Sequence, residues 1–184
     1  MLRILRNLGG MDGAEIAEAA LVLPLVFMFL LGIVWFGRAF NIYSTITQAA
    51  QRGAVIAARP TCATCASPGD NWNGTNFPGN STVENAVYSV TDASNLDRNL
   101  ITSNALAPAP AACVLPPPAP LGGCSSIASP ITICRSVVLN SATNPVQCGV
   151  IVSFKYPFQF YLPFTSLNMQ QITLTAQAQT RMEN

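Results

Sequence analysis

Hydrophobic positions follow three different patterns along this chain. From Ala19 to Gly37 they form an almost unbroken run, with no charged side chain between Glu18 and Arg38. An uncharged apolar run of about 18 or more residues is long enough to cross a bilayer as a helix. Past Arg38 the pattern becomes one-sided. Phe36, Phe40, Tyr43, Thr47, Ala50, Ala54 and Ala57 recur every three or four residues, which puts them on one side of a helix, while Arg38, Gln48 and Arg59 fall elsewhere. Pro60 stops it. The two patterns join without a break, so the spacing predicts one helix over 14–59 with a membrane span at about 19–37. At 1.5 Å per residue such a helix is about 70 Å long. Pro24 removes one backbone hydrogen bond inside the span, which a membrane helix tolerates where neighbours cover the gap.

The third pattern is alternation, and it dominates the end of the chain. Ile131–Leu139 is short and β-branched; Val150, Val152, Phe154, Tyr156 and Phe158 alternate with Ser153 and Lys155; Ile172, Leu174, Ala176 and Ala178 alternate with Thr173, Thr175, Gln177 and Gln179. These predict a three-stranded antiparallel sheet with one apolar face, and the outer half of the long helix is the available cover. A loop is expected over 61–80, where Gly, Pro, Asn, Thr and Cys dominate. Ser81-Thr82-Val83-Glu84 has the spacing of a capping box and predicts a short helix from Thr82 to Thr91 with Val83, Val87 and Val90 inward. Residues 105–130, rich in Pro and Ala, read as irregular. The aromatics of 158–164 read as core filling beneath a connecting loop, with a contact surface as the alternative.

Composition removes several function classes. The 184 residues are 50% hydrophobic and 9% charged, with a net charge of +1, so the chain has no electrostatic footprint for nucleic acid. It has no histidine, which rules out a Ser-His-Asp or Cys-His nucleophile and any histidine-containing metal site. No glycine-rich phosphate loop follows a strand, and the eight acids are scattered. The remaining chemistry is in Cys62, Cys65, Cys113, Cys124, Cys134 and Cys148, all C-terminal to the apolar run. An even set in an exported region reads as structural disulfides, with 15 connectivities open for six cysteines. Cys62-Ala63-Thr64-Cys65 also has the spacing of a thiol-disulfide exchange pair, and four cysteines can bind zinc; both stand as alternatives.

Topology follows from charge and cysteines together. Arg3 and Arg6 precede the span and favour a cytoplasmic N-terminus, while Arg38 and Arg52 lie within reach of its far side; the cysteines decide for an exported C-terminal part. The apolar run exceeds the roughly 7–15 residues of a signal-peptide core and leaves through Trp35-Phe36-Gly37-Arg38-Ala39-Phe40 without an Ala-x-Ala site. It is therefore expected to be retained.

One acid stands out by its place. Glu18 lies at the mouth of the apolar run, where a carboxylate costs several kcal/mol unless it is paired. If the chain is cut after Gly13, the new amine of Ala14 becomes a cation at the membrane edge, and the Glu18 of one copy can pair with the amine of its neighbour. Gly13 followed five residues later by Glu18 resembles the start of type IV prepilins. More closely, Glu18-Ala19-Ala20-Leu21-Val22-Leu23-Pro24-Leu25, Gly32-Ile33-Val34-Trp35-Phe36-Gly37-Arg38, Gln48-Ala49-Ala50-Gln51-Arg52-Gly53-Ala54 and the tail from Ile172-Thr173-Leu174-Thr175-Ala176 to Arg181-Met182-Glu183 resemble the TadE-like family of the tight-adherence (Flp-type) pilus system. Met11-Asp12, between Arg6 and the glycine, departs from the short basic leader usual in these families.

The resemblance implies a pseudopilin-like assembly protein matured by a prepilin peptidase, with other pilins and the pilus assembly machinery as partners, and with no cofactor and no catalysis of its own. Gly13 and Ala14 would form the cleavage site and Glu18 would register subunits. A minor pilin or adhesin-like filament subunit is the alternative, with a membrane-tethered thiol-disulfide protein further off. The expected fold is α+β: a leader over 1–13, a long helix over 14–59 anchored in the inner membrane, and an exported disulfide-bonded domain over 60–184.

Overall fold

A computed structural model of the chain describes residues 12–59, 78–113, 123–125, 129–140, 147–159 and 171–181. The expected leader as far as Met11, the loop over 61–77 with Cys62 and Cys65, the triple proline and the aromatics of 160–164 lie outside the described residues. The chain forms two compact units, Met1–Asn41 and Ile42–Asn184.

Helix α1 (Asp12–Ala58) belongs to both units and passes through Pro24. In the first unit its apolar side chains are exposed, Phe36 by 80% and Phe40 by 74%. In the second unit the same helix has one buried stripe, made of Ile46, Ala49, Ala50, Gly53, Ala54, Ala57 and Ala58. Of the expected one-sided face, Ala50, Ala54 and Ala57 belong to the stripe, while Phe36, Phe40 and Tyr43 are exposed. At 100° per residue, Phe36 and Phe40 share the azimuths of Ala54 and Ala58, so the side is the same; they belong to the first unit, and the stripe begins only at Ile46. Alanine and glycine in the stripe let the helix backbone approach the sheet.

The stripe meets a five-stranded antiparallel sheet: β1 (Thr102–Ser103), β2 (Gly123–Ser125), β3 (Thr132–Asn140), β4 (Gln147–Gln159) and β5 (Gln171–Arg181). The three alternating segments are strands as expected. The two short additions, β1 and β2, come from within and beside the stretch read as irregular. β4 is central. β5 pairs with it from Gly149 to Gln159, so β3 and then β1 share its other edge, at Thr132↔Ser153 and Thr102↔Lys155.

Val150, Val152, Phe154 and Tyr156 of β4, with Ala176 and Ala178 of β5 and Ile131 and Ile133, form one core cluster with the α1 stripe and with Val83 and Val87 of helix α2 (Asn80–Ala93). Burying each of the larger of these side chains is worth about 1.5–3 kcal/mol. The outer half of the long helix thus covers the sheet, as expected, and α2 joins it. The opposite face of β4 is covered too. Ile151 packs with Cys134 and Val137 in a second cluster, and Ser153 is buried, accepting from the Asn104 side chain (2.7 Å) and donating to the Ala176 carbonyl (3.1 Å). A bulge serves this second face. Ser136 has φ 49° and the register shifts between Cys134 and Val137, so that residues three apart face the same cluster.

Helix α2 starts two residues before the expected position and ends two after it. Its N-cap is Gly79, with no side-chain cap, so the capping box does not form. Ser81 already lies inside the helix, and the Glu84 carboxylate accepts instead from the Ser129 hydroxyl. The start is held from afar: the Arg135 guanidinium of β3 donates to the Asn80 side-chain oxygen and, at 2.7 Å, to the Pro78 carbonyl. At the other end Asn95, with φ 54°, turns the chain so that the Leu96 amide donates back to the Thr91 carbonyl at 2.9 Å.

The closest approach between the two helices gives a test. A Cβ on Gly53 would stand 2.7 Å from Val87 Cγ2. Gly53→Ala is expected to destabilise by about 1–2 kcal/mol through overpacking. In a Val87→Ala background the same change is expected to stabilise by roughly 0.5–1 kcal/mol, the ordinary gain of alanine over glycine in a helix. Urea unfolding of the detergent-solubilised single and double variants measures both.

Candidate functional site

Two regions bear on function: the N-terminal part of α1 and the disulfide-bonded side of the sheet. Gly13 and Ala14 have helical backbone, and Glu18 stands one turn beyond Ala14 on the same face, exposed. From Ile16 to Phe36 no side chain is buried. One face of this segment carries an apolar groove lined by Leu21, Leu25, Met28, Phe29, Gly32 and Phe36. The helix is long and apolar enough to cross a membrane, and its most apolar stretch has nothing buried against it. At the far end of the run the Arg38 guanidinium lies over the Trp35 ring, 5.7 Å from its centroid.

On the sheet, four of the six expected cysteines are described and all four are bridged. Cys113 pairs with Cys148 and Cys124 with Cys134. The second bridge joins residues directly opposite each other on β2 and β3. The first ties the start of β4 to a segment laid along the bulge, where the Cys113 amide donates to the Ser136 carbonyl (2.7 Å) and the Val138 amide to the Ala111 carbonyl (2.8 Å). This is the Pro- and Ala-rich stretch. With few donors of its own, it is held by covalent links and by borrowed strand contacts. Cys62 and Cys65 lie outside the described residues.

Charge on this unit is sparse. Burial pulls the Arg135 pKa below its ordinary value, yet a guanidinium stays charged at neutral pH. Tyr88 is pushed up by burial first and by the Glu84 carboxylate second, with Arg98 pulling it back. The Arg98 guanidinium lies 5.9 Å from the Tyr88 ring centroid and 3.8 Å from Asp92. These contacts tie α2 to its flanks. Among the described residues no three acidic or cysteine side chains group as a metal site.

The apolar, exposed first part of α1 and its small-residue second part are the portion of the chain with a known likeness: residues 13–55 match the family model of TadE-like proteins. The stem of this chain is TadE-like. The likeness covers 43 of the 184 residues, all within α1. The match begins at Gly13, includes Glu18 and ends at Val55. It leaves the sheet outside, together with the tail from Ile172 to Glu183, to which the resemblance in sequence extends. No characterised protein and no solved structure matches the chain.

The structure adds two features to the TadE-like stem and its domain that sequence reading passed over. The Trp35–Arg38 contact was legible as an aromatic and a cation three apart in a helix. The Arg135 clamp was not, because Asn80 is 55 residues away.

The disulfides give a second test. Proteolytic mapping without reductant is expected to recover Cys113 linked to Cys148 and Cys124 to Cys134. Replacing the Cys113–Cys148 pair by alanine is expected to cost about 3–4 kcal/mol, and the shorter Cys124–Cys134 loop about 2–3 kcal/mol, read as shifts in the urea midpoint.

Proposed function

We propose that this chain is a single-pass inner-membrane assembly protein of a tight-adherence pilus, cut by a prepilin peptidase between Gly13 and Ala14. The observation that carries the reading is the extent of the family match. It starts at Gly13 and runs through the span into the stripe that packs on the sheet, so the likeness lies in the stem rather than in the domain. The leader, with Arg3 and Arg6, stays on the cytoplasmic side. The disulfide-bonded unit is exported, which its bridges Cys113–Cys148 and Cys124–Cys134 support.

In this reading the protein catalyses nothing itself. Cleavage releases the Ala14 amine one helical turn before Glu18. Within one chain that amine and the carboxylate are both at the membrane edge; between two copies, an offset along the stem brings the amine of one to the carboxylate of the other. A carboxylate at the edge of hydrocarbon gains most from a partner that arrives only on assembly. Glu18 thereby registers one stem against the next, and the exposed apolar side chains of the span supply the contact area.

Two outcomes are expected. Intact mass and N-terminal sequencing of the membrane-extracted protein, made with and without a prepilin peptidase, give a peptidase-dependent start at Ala14; a start at Met1 in both samples removes the maturation step. Glu18→Ala leaves membrane insertion intact and lowers pilus production or stem-to-stem crosslinking about tenfold, in keeping with a lost partly buried ion pair worth some 1–2 kcal/mol. Unchanged piliation would sink the registration role.

A further inference from the structure

We infer that Trp35 and Arg38 form a phospholipid phosphate site that fixes the depth of the stem at the C-terminal end of its span. This rests on the reading of α1 as a membrane helix. The distance comes first. The 19 uncharged residues from Ala19 to Gly37 rise about 28 Å as a helix, close to the roughly 30 Å of a hydrocarbon core. With Glu18 at one boundary, Arg38 falls at the other.

The local geometry makes that boundary a site rather than a chance end. Trp35 sits one turn inside Arg38, and the guanidinium lies over the indole at 5.7 Å from its centroid. Stacking uses the flat face of the guanidinium and leaves its N–H edge free to donate. That edge presents paired donors at the spacing of two phosphate oxygens. The indole, apolar in body with one N–H, belongs at headgroup level for the same reason that tryptophan is enriched there. Among the described residues no ion pair involves Arg38; the exposed Phe36 and Phe40, two residues before and after it, lie on the opposite side of the helix. Between residues 35 and 40 the helix rises only about 7–8 Å, so three aromatic rings and one cation share the same shallow layer. The occupant is therefore a phosphodiester headgroup: the anion faces the guanidinium edge and its glycerol and upper acyl carbons face the Trp35 indole, while Phe36 and Phe40 anchor the other side of the helix in the same layer.

The test uses the full chain with Trp72→Phe, which leaves Trp35 as its sole tryptophan. The protein is reconstituted in phosphatidylcholine vesicles carrying bromines at a shallow or a deep acyl position, and resistance to protease confirms an intact domain. Trp35 fluorescence is expected to be quenched at least about twofold more by shallow than by deep bromines. Arg38→Gln is expected to erase that preference, and Arg38→Lys to retain part of it. A shallow preference unchanged by Arg38→Gln would overturn the phosphate site. Stronger quenching by deep bromines would overturn the placement of the boundary while leaving the span in place. No quenching at either depth would overturn the span itself, and the site with it.

Discussion

The packing of a small-residue stripe of α1 against the sheet is the contact on which the second unit depends. Ala49, Ala50, Gly53, Ala54, Ala57 and Ala58 remove little area one by one, but they allow close approach, and the large side chains come from the other partners: Phe154, Val150 and Val152 from β4, Val83 and Val87 from α2. One consequence is sharp sensitivity to volume. The Val87 methyl of α2 already occupies the space a Cβ at Gly53 would need, so at this point α1 cannot gain even a methyl toward α2. Another is that the apolar face of α1 cannot be uniform. A helix that exposes Phe36 and Phe40 over one stretch and buries Ala50 and Ala54 over the next answers to two different surroundings with one backbone.

The sheet answers to two surroundings as well, through β4. Its even-numbered residues from Val150 to Tyr156 face the helix-covered core, while Ile151 and Ser153 face a thinner layer built from irregular chain. Irregular backbone cannot satisfy its own donors and acceptors, so this layer is secured by other means. Thr132 donates to the Asn104 carbonyl at 2.9 Å, Asn104 donates to Ser153, and the two bridges fasten Cys113 and Cys124 to β4 and β3. The buried Ser153 is tolerated because its hydroxyl both accepts and donates. Bulge, polar chain and disulfides act as one device that lets a proline-rich segment cover a strand.

Legibility in the sequence tracked how local each cause was. The apolar run, the stem helix to within a residue of its end, and the strands β3, β4 and β5 follow from periodicity within a single segment, and the structure has them. The capping box at Ser81 failed because a long-range donor, Arg135, holds Pro78 and Asn80 and draws the helix start two residues earlier. β1 and β2 are too short to alternate visibly and exist only because β4 and β3 offer edges at the right register. On α1 the side of the stripe was legible from spacing but its extent was not: Phe36 and Phe40 share the azimuths of Ala54 and Ala58 yet belong to the first unit, and periodicity does not say which turns are covered. Of the proposed site, Gly13, Ala14 and Glu18 stand out in the sequence as an acid and a small pair at the edge of an apolar run, and their role is a proposal; the disulfide pairing was not legible, since spacing leaves every connectivity open.

The span sets a further constraint that links both ends of the stem. Nineteen uncharged residues between Glu18 and Arg38 leave the helix almost no freedom to slide along the membrane normal, because movement in either direction carries a charge into hydrocarbon at a cost of several kcal/mol. A stem whose depth is fixed places its Glu18 at the same level in every copy. In the proposed pairing the Ala14 amine of one copy meets the Glu18 of another only when one stem leaves that level by four residues, about 6 Å, so a fixed resting depth keeps unassembled copies apart and reserves the ion pair for the step that lifts a stem. The cation at the far end of the run is thus part of the same argument as the acid at its mouth.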